Sequence, residues 1–170
     1  MTAPVFRNAG ALEVQSCYRV LSDAREKMWR EGRDQWTADY PLPRDVKRDI
    51  DNGCAYVLDA GSGPVAYGAV IFTGEPAYEG ITDGQWLSDL PFVVVHRLAV
   101  SPQWQGRGLA REFIRSVEKL AAERGFGSFR IDTREDNAAM IHLLLHSGFT
   151  KCGTVVLPVN KVRIGFEKLL

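Results

Sequence analysis

Apolar residues recur along this chain at two spacings, which divide it into elements. From Leu12 to Arg30 the positions Leu12, Cys17, Leu21, Ala24 and Met28 return at roughly helical spacing until Gly32 ends the run. That pattern predicts a helix with one buried stripe. A second, shorter helix is predicted from Arg44 to Asn52, before Gly53. "PVFR" near the start predicts a short strand, and "CAYVLDA" and "VAYGAVIFTG", separated by "GSGP", predict an antiparallel hairpin. "FVVVHRLAV" is apolar except at His96 and Arg97, the signature of a central strand covered on both faces. After Gly108, the residues Leu109, Phe113, Val117 and Leu120 form one helical stripe that stops at Gly125. "SFRIDT" predicts a strand, Asn137 to Ser147 a helix closed by Gly148, and Thr154–Leu157 and Lys161–Phe166 two final strands. "DQWTADYPLP" and the long stretch Glu75–Pro91 predict surface loops. A hairpin followed by strands alternating with helices predicts an α/β fold, a mixed sheet with helices on both faces. No linker interrupts the pattern, so one domain over residues 1–170 is expected.

Composition narrows the partners. The 21 basic residues balance the 21 acidic ones. No global field therefore gathers nucleic acid or an anionic membrane, and neither is expected as a partner. Cys17, Cys54 and Cys152 are odd in number and not spaced as metal ligands. They suit free thiols in a reducing cytoplasm. "MTAPVFRNAG" has no apolar core of a signal peptide, and no apolar run approaches the ~18 residues that span a bilayer. A cytoplasmic location is expected.

The stretch "SPQWQGRGLAREF", Ser101 to Phe113, carries the first chemistry. A strand, a short loop and glycines at a helix start form a phosphate cradle, because first-turn N–H groups have no intrahelical partner and the helix dipole adds positive potential. Gly106 and Gly108 would let a pyrophosphate touch the backbone. Arg107 and Arg111 could add charge-assisted bonds. A tight turn that merely uses glycine explains the same residues. A nucleoside-triphosphate loop, G-x-x-x-x-G-K-[ST], is absent. A dinucleotide fingerprint fails twice, since Arg111 stands where its third Gly belongs and the strand ends near Val100, several residues too early.

"HRLAVSPQWQGRGLAREFI" resembles the acetyl-CoA-binding segment of the GCN5-related N-acetyltransferase (GNAT) superfamily. Gln103, Gly106 and Gly108 match its Q/R-x-x-G-x-G/A signature, and "LAVSP" resembles its central strand and exit turn. Downstream, "DNAAMIHLLLHSGFTKCG" resembles the next family motif through Asn137, Gly148 and Phe149. The resemblance implies a three-layer αβα sandwich. Its central sheet is mixed, mostly antiparallel, and splayed at the acetyl-CoA site. It implies acetyl-CoA as cosubstrate and no metal, and it leaves a homodimer open. The pantetheine arm would pair with the backbone of Leu98, Ala99 and Val100 as an added strand. The pyrophosphate would sit on N–H groups of Gln105, Gly106, Arg107, Gly108, Leu109, Ala110 and Arg111. Asn137 would hydrogen-bond the pantetheine, a role compatible with a plain helix N-cap.

Acetyl transfer from a thioester to an amine needs a neutral amine, a stabilised oxyanion and an accommodated thiolate. The N–H of Leu98 would serve the oxyanion. His96, two residues earlier, would by strand alternation share a face with Leu98. It would act as the base or relay to it, an imidazole being suited to that proton; a core hydrogen bond is the competing role. Leu144 occupies the place of a Tyr that acts as thiol acid in many family members, and no nearby Tyr replaces it. His142 and His146, at i and i+4, lack a third metal ligand. Cys152 could carry an acyl group, although direct transfer needs none. Trp36 and Tyr40 on one loop, and Trp86 on another, are expected to line the acceptor site or to staple their loops to a core. Asp132 and Glu135 would attract a cationic amine or form a solvated turn. The function expected is acetyl-CoA-dependent N-acetylation of a primary amine. A non-catalytic acyl-CoA-binding or sensing domain is the alternative. The acceptor stays open among polyamine, amino acid, aminoglycoside and peptide N-terminus.

Overall fold

The computed structural model describes residues 2–170. In chain order the elements are β1 (Val5–Asn8), α1 (Val14–Arg30), α2 (Pro43–Asp51), β2 (Ala55–Asp59), β3 (Pro64–Ile71), β4 (Phe92–Val100), α3 (Leu109–Glu123), β5 (Ser128–Thr133), α4 (Ala138–His146), β6 (Thr150–Leu157) and β7 (Lys161–Leu169). The seven strands form one sheet in the order β1-β2-β3-β4-β5-β7-β6. The β1/β2, β2/β3, β5/β7 and β6/β7 pairs are antiparallel, and β4/β5 is parallel. The mixed sheet, the β2/β3 hairpin and the four helices agree with the sequence pattern.

Residues fall into two compact units. The first comprises the chain up to Val70 together with His96–Ser116. In it α1 lays Cys17, Val20, Leu21 and Met28, with Val46 of α2, against Ala55 and Val57 of β2, Tyr67 of β3 and Ala99 of β4. Each Val, Leu or Met among these taken fully out of water stabilises by about 1.5–3 kcal/mol. Elsewhere in this unit Phe6 stacks on Tyr56 at 5.0 Å and meets Phe113 of α3 edge-on at 5.3 Å. Tyr56 and Val57 are neighbours on one strand and so point to opposite faces. α3 therefore covers the face that α1 and α2 leave, giving helix, sheet and helix layers. Arg7 of β1 bonds both Glu13 and Asp59 at 2.7 Å and ties the edge strand to its neighbour.

The second unit comprises Ile71–Val95 and Val117–Leu170. Its core sets Tyr78, Val94 and Val155 among Ile71, Ile81, Trp86, Phe92 and Leu157, and Phe129 meets Phe149 edge-on at 5.0 Å. The stretch Glu75–Pro91 lies mostly at the surface, as expected, but contains a 3-10 turn at Pro76–Gly80 whose Tyr78 is only 1% exposed. Glu167, 0% exposed, holds the stretch down. It accepts from Ser88 Oγ at 2.9 Å, Ser128 Oγ at 2.6 Å, Arg130 Nε at 3.2 Å and the Leu87 N–H. Trp86 lies so close over Gly165 that a Cβ there would stand 2.8 Å from the indole. β6 begins at Thr150 rather than Thr154 because its register shifts between Lys151 and Gly153. The bulge breaks the alternation that marks a strand in sequence.

Candidate active site

The site is built on β4. Its parallel ladder with β5 runs from Phe92↔Ser128 to Val94↔Arg130, and the strand continues to Val100. Arg97 interrupts it with φ of 56°. Strand alternation cannot be carried through a left-handed residue, so the argument that put His96 and Leu98 on one face loses its basis. Arg97 belongs to a buried polar cluster. Its Nε donates to Asp49 Oδ2 at 3.0 Å, its Nη2 to Asp49 Oδ1 at 2.6 Å and its Nη1 to the Tyr40 hydroxyl at 2.8 Å. Tyr67 donates its hydroxyl to Asp49 Oδ2 at 2.5 Å. Side-chain exposure is 14% for Arg97 and 6% for Asp49. Burial works against the Arg97 charge, but Tyr40 and Asp49 outweigh it and raise its pKa. Burial first, and then the Asp49 carboxylate, push the Tyr67 phenol far up, so it stays protonated and donates. The sequence offered one signal for this cluster. A charge in an apolar central strand must be paired, though nothing local named Asp49 as the partner.

Beyond Val100 the chain turns. The Ser101 N–H donates to Val65 O at 2.8 Å, Trp104 N–H to Ser101 O at 2.8 Å, and Gln105 Nε2 to Val100 O at 3.2 Å. Gly106 and Gly108 have φ of 75° and 78°, and a Cβ at either would meet no atom within 4 Å. Their backbone conformation requires glycine, and the space beside them is open. α3 starts at once, with Glu112 N–H donating to Gly108 O at 3.0 Å. The amides of Leu109 and Ala110 lie in the first turn, where no helical acceptor exists. Arg107 is exposed, its guanidinium 4.7 Å from the centre of the Trp104 ring, and Arg111 is half-buried. Lys27 of α1 donates to the Gln105 side chain.

Other expected site residues have settled positions. His96 and Leu98 are half-buried. Asn137 caps α4, accepting from Met140 N–H at 3.2 Å. Leu144 is fully buried and apolar. Trp36, expected on an acceptor wall, is 8% exposed within the first unit's core, and its carbonyl accepts from Trp29 Nε1 at 2.8 Å. Tyr40 is half-buried with its hydroxyl on Arg97. Trp86 donates to Tyr78 O at 2.8 Å and faces the Arg130 guanidinium at 4.5 Å, a stapling arrangement inside the second unit. Asp132 accepts from the Tyr78 hydroxyl at 2.6 Å, and Glu135 is exposed. The rings of His142 and His146 stack at 3.8 Å, and His146 Nδ1 lies 2.8 Å from His142 O. No group of three or more His, Cys, Asp or Glu residues able to hold a metal occurs among the described residues. Burial raises the pKa of the Cys152 thiol and pushes Cys17 up to about 12, so neither offers a thiolate at neutral pH.

The family model described as the acetyltransferase (GNAT) family matches residues 18–149. A GNAT-family acetyltransferase from Streptococcus agalactiae 2603 is 35% identical, with a TM-score of 0.87 over 98% of this chain and 95% of that one. A GNAT-family acetyltransferase from Listeria monocytogenes 4b F2365 shares the fold at 18% identity, with a TM-score of 0.75 over 100% of this chain and 99% of that one. PaiA N-acetyltransferase from Thermoplasma acidophilum, solved in complex with coenzyme A, shares it at 13% identity, with a TM-score of 0.69 over 100% of both chains. No curated protein matches the chain. The chain belongs to the acetyltransferase (GNAT) family, and its general chemistry is acetyl transfer.

Proposed function

We propose that this protein is an acetyl-CoA-dependent N-acetyltransferase that acylates a primary amine by direct attack, with residues 1–170 acting as one domain. The observation that carries the reading is the turn at Gly106 and Gly108. Two left-handed glycines with open space beside them deliver the chain into the first turn of α3 directly after β4. Amides there suit the pyrophosphate, and the backbone of Leu98, Ala99 and Val100 suits the pantetheine amides. Gln105, Gly106, Arg107, Gly108, Leu109, Ala110 and Arg111 form the phosphate end. Asn137 is carried over from the downstream family motif alone, and its Oδ1 caps α4. The family match spans residues of both units, which supports treating them as one domain. No described helix is long and apolar enough to cross a membrane, and three free cysteines suit the cytoplasm.

In the reaction the amine nitrogen attacks the thioester carbonyl carbon. The C–N bond forms, the oxyanion gathers at the Leu98 N–H, and the C–S bond breaks to release the CoA thiolate. His96 takes the proton the amine sheds. The buried, apolar Leu144 offers no acid to the thiolate, so solvent protonates it. That residue also favours a second reading, a domain that binds acyl-CoA without turnover. One assay separates the two: acetyl-CoA is supplied with polyamines, amino acids, aminoglycosides and peptides, and free thiol and acetylated product are followed together. Equal release of thiol and acetylamine is expected for one amine class. CoA binding with no product from any amine would overturn the enzymatic reading.

A further inference from the structure

Arg97 is the only non-glycine residue within β4 whose φ is positive, and its peptide bond leads directly to the Leu98 amide. The peptide unit is planar, so the orientation of the Leu98 N–H is fixed by the backbone angles of Arg97. For an arginine φ of 56° is a strained backbone conformation. Three separate segments hold its side chain. Asp49 of α2 grips the guanidinium with both carboxylate oxygens, a planar fork that fixes orientation as well as position. Tyr40, on the loop before α2, receives the remaining arm. Tyr67 of β3 in turn holds Asp49. With Asp49 6% exposed, no water competes freely for these bonds.

We infer that Arg97, clamped by Asp49, Tyr40 and Tyr67, is the positioning residue that aims the Leu98 N–H at the oxyanion. The inference rests on the reading of Leu98 given above. The clamp acts on the Leu98 N–H through the backbone of Arg97. It therefore controls kcat, while acetyl-CoA binding, spread over the strand and the glycine turn, is spared.

Two double variants test it. Asp49→Asn with Arg97→Gly removes the clamp but supplies a residue that enters the left-handed region without strain. Asp49→Asn with Arg97→Ala removes the clamp and leaves the backbone free to relax. Glycine relieves the strain at this φ whichever role Arg97 has, so fold stability does not separate the two roles; kcat at matched KM and the Leu98 amide do. The glycine variant is expected to keep a kcat at least ~10-fold above the alanine variant, with the KM for acetyl-CoA within about threefold in both. An alanine variant equal to or faster than the glycine one overturns the inference. The Leu98 amide signal in a 15N spectrum gives a readout independent of turnover. Acetyl-CoA should shift it further in the wild type and the glycine variant than in the alanine variant, where only the neighbouring pantetheine contacts act on it. If the wild type turns over no amine yet shows that pattern, the enzymatic reading fails and the clamp stands. If Leu98 responds equally in both variants, the clamp fails. Should neither double variant fold, Tyr40→Phe carries the test, with a kcat drop of about 3–10-fold at unchanged KM expected and an unchanged kcat overturning it.

Discussion

A valine at position 106 would have to hold φ near 75°, in a region that β-branched residues avoid, and would project into the open space beside the turn. Both effects bear on the phosphate end and neither on the core. Gly106→Val should weaken CoA at least ~10-fold by calorimetry while the protein stays folded. Unchanged affinity in a folded variant would remove the phosphate assignment. His96 is argued differently, because the left-handed Arg97 takes away the alternation that tied it to Leu98. What remains is its place two residues before Leu98 on β4 and the suitability of an imidazole for the proton. If it is the base, His96→Ala should lower kcat by about 10²-fold at neutral pH and abolish the rising limb that an imidazole imposes on the pH–rate profile, with CoA affinity preserved. A variant that keeps the wild-type profile would return His96 to the core. At this scale the sequence showed the glycines, whose reason is local, and missed the Arg97 clamp, whose partner Asp49 lies 48 residues away. Trp36 was visible as a loop aromatic, but only tertiary packing decides which way such a residue faces.

Elements were legible wherever their period survived. α1 and α3 keep unbroken patterns, and the β2/β3 hairpin keeps its place despite a register shift between Leu58 and Asp59; all three appear where the spacing put them, to within a few residues. One start was misread: β6 begins at Thr150 rather than Thr154, because its register shifts between Lys151 and Gly153 and breaks the period. β1 is four residues long and is held by its ladder with β2 and by Phe6 packed on Tyr56 and Phe113. Arg7 adds a polar anchor, and the hydrogen bonds from Arg7 hold both Glu13 and Asp59 below the usual carboxylate range. A depressed carboxylate contributes stability that is complete above its unfolded value near ~4 and disappears as pH falls through the folded value. The Arg7 side chain is 35% exposed, which limits each pair to about 1 kcal/mol or less. Urea midpoints of wild type and Arg7→Met should therefore differ at pH ~7 and converge as pH falls through the folded carboxylate values. A difference that persists in acid would show that Arg7 acts by packing its stem rather than by its charge.

Each of the two units is organised around a buried ion pair, Arg97–Asp49 in the first and Arg130–Glu167 in the second. The first sits beside the proposed chemistry. The second fastens the Leu87–Ser88 segment to β5 and β7 and touches nothing assigned to acetyl-CoA. Arg130 is further packed between Trp86 at 4.5 Å and Phe92 at 4.2 Å, so its charge is held in an apolar sleeve with Glu167 as its counter-ion. Removing that counter-ion while keeping its shape isolates the electrostatic part. Glu167→Gln should cost about 3–5 kcal/mol, the loss expected when a buried charge is left uncompensated. For a chain of this length that lowers Tm by roughly 6–20 °C. Replacing both partners with apolar residues, Arg130→Met with Glu167→Leu, should recover part of the loss, because a buried pair returns little beyond its own desolvation cost. Ser88 and Ser128 would then lack their acceptor, which keeps the recovery incomplete. Calorimetric scans of the three proteins check the order, with the wild type highest, the double variant between and Glu167→Gln lowest. A double variant less stable than Glu167→Gln would mean that the serine and backbone bonds to Glu167, and not the ion pair, hold this part of the second unit together.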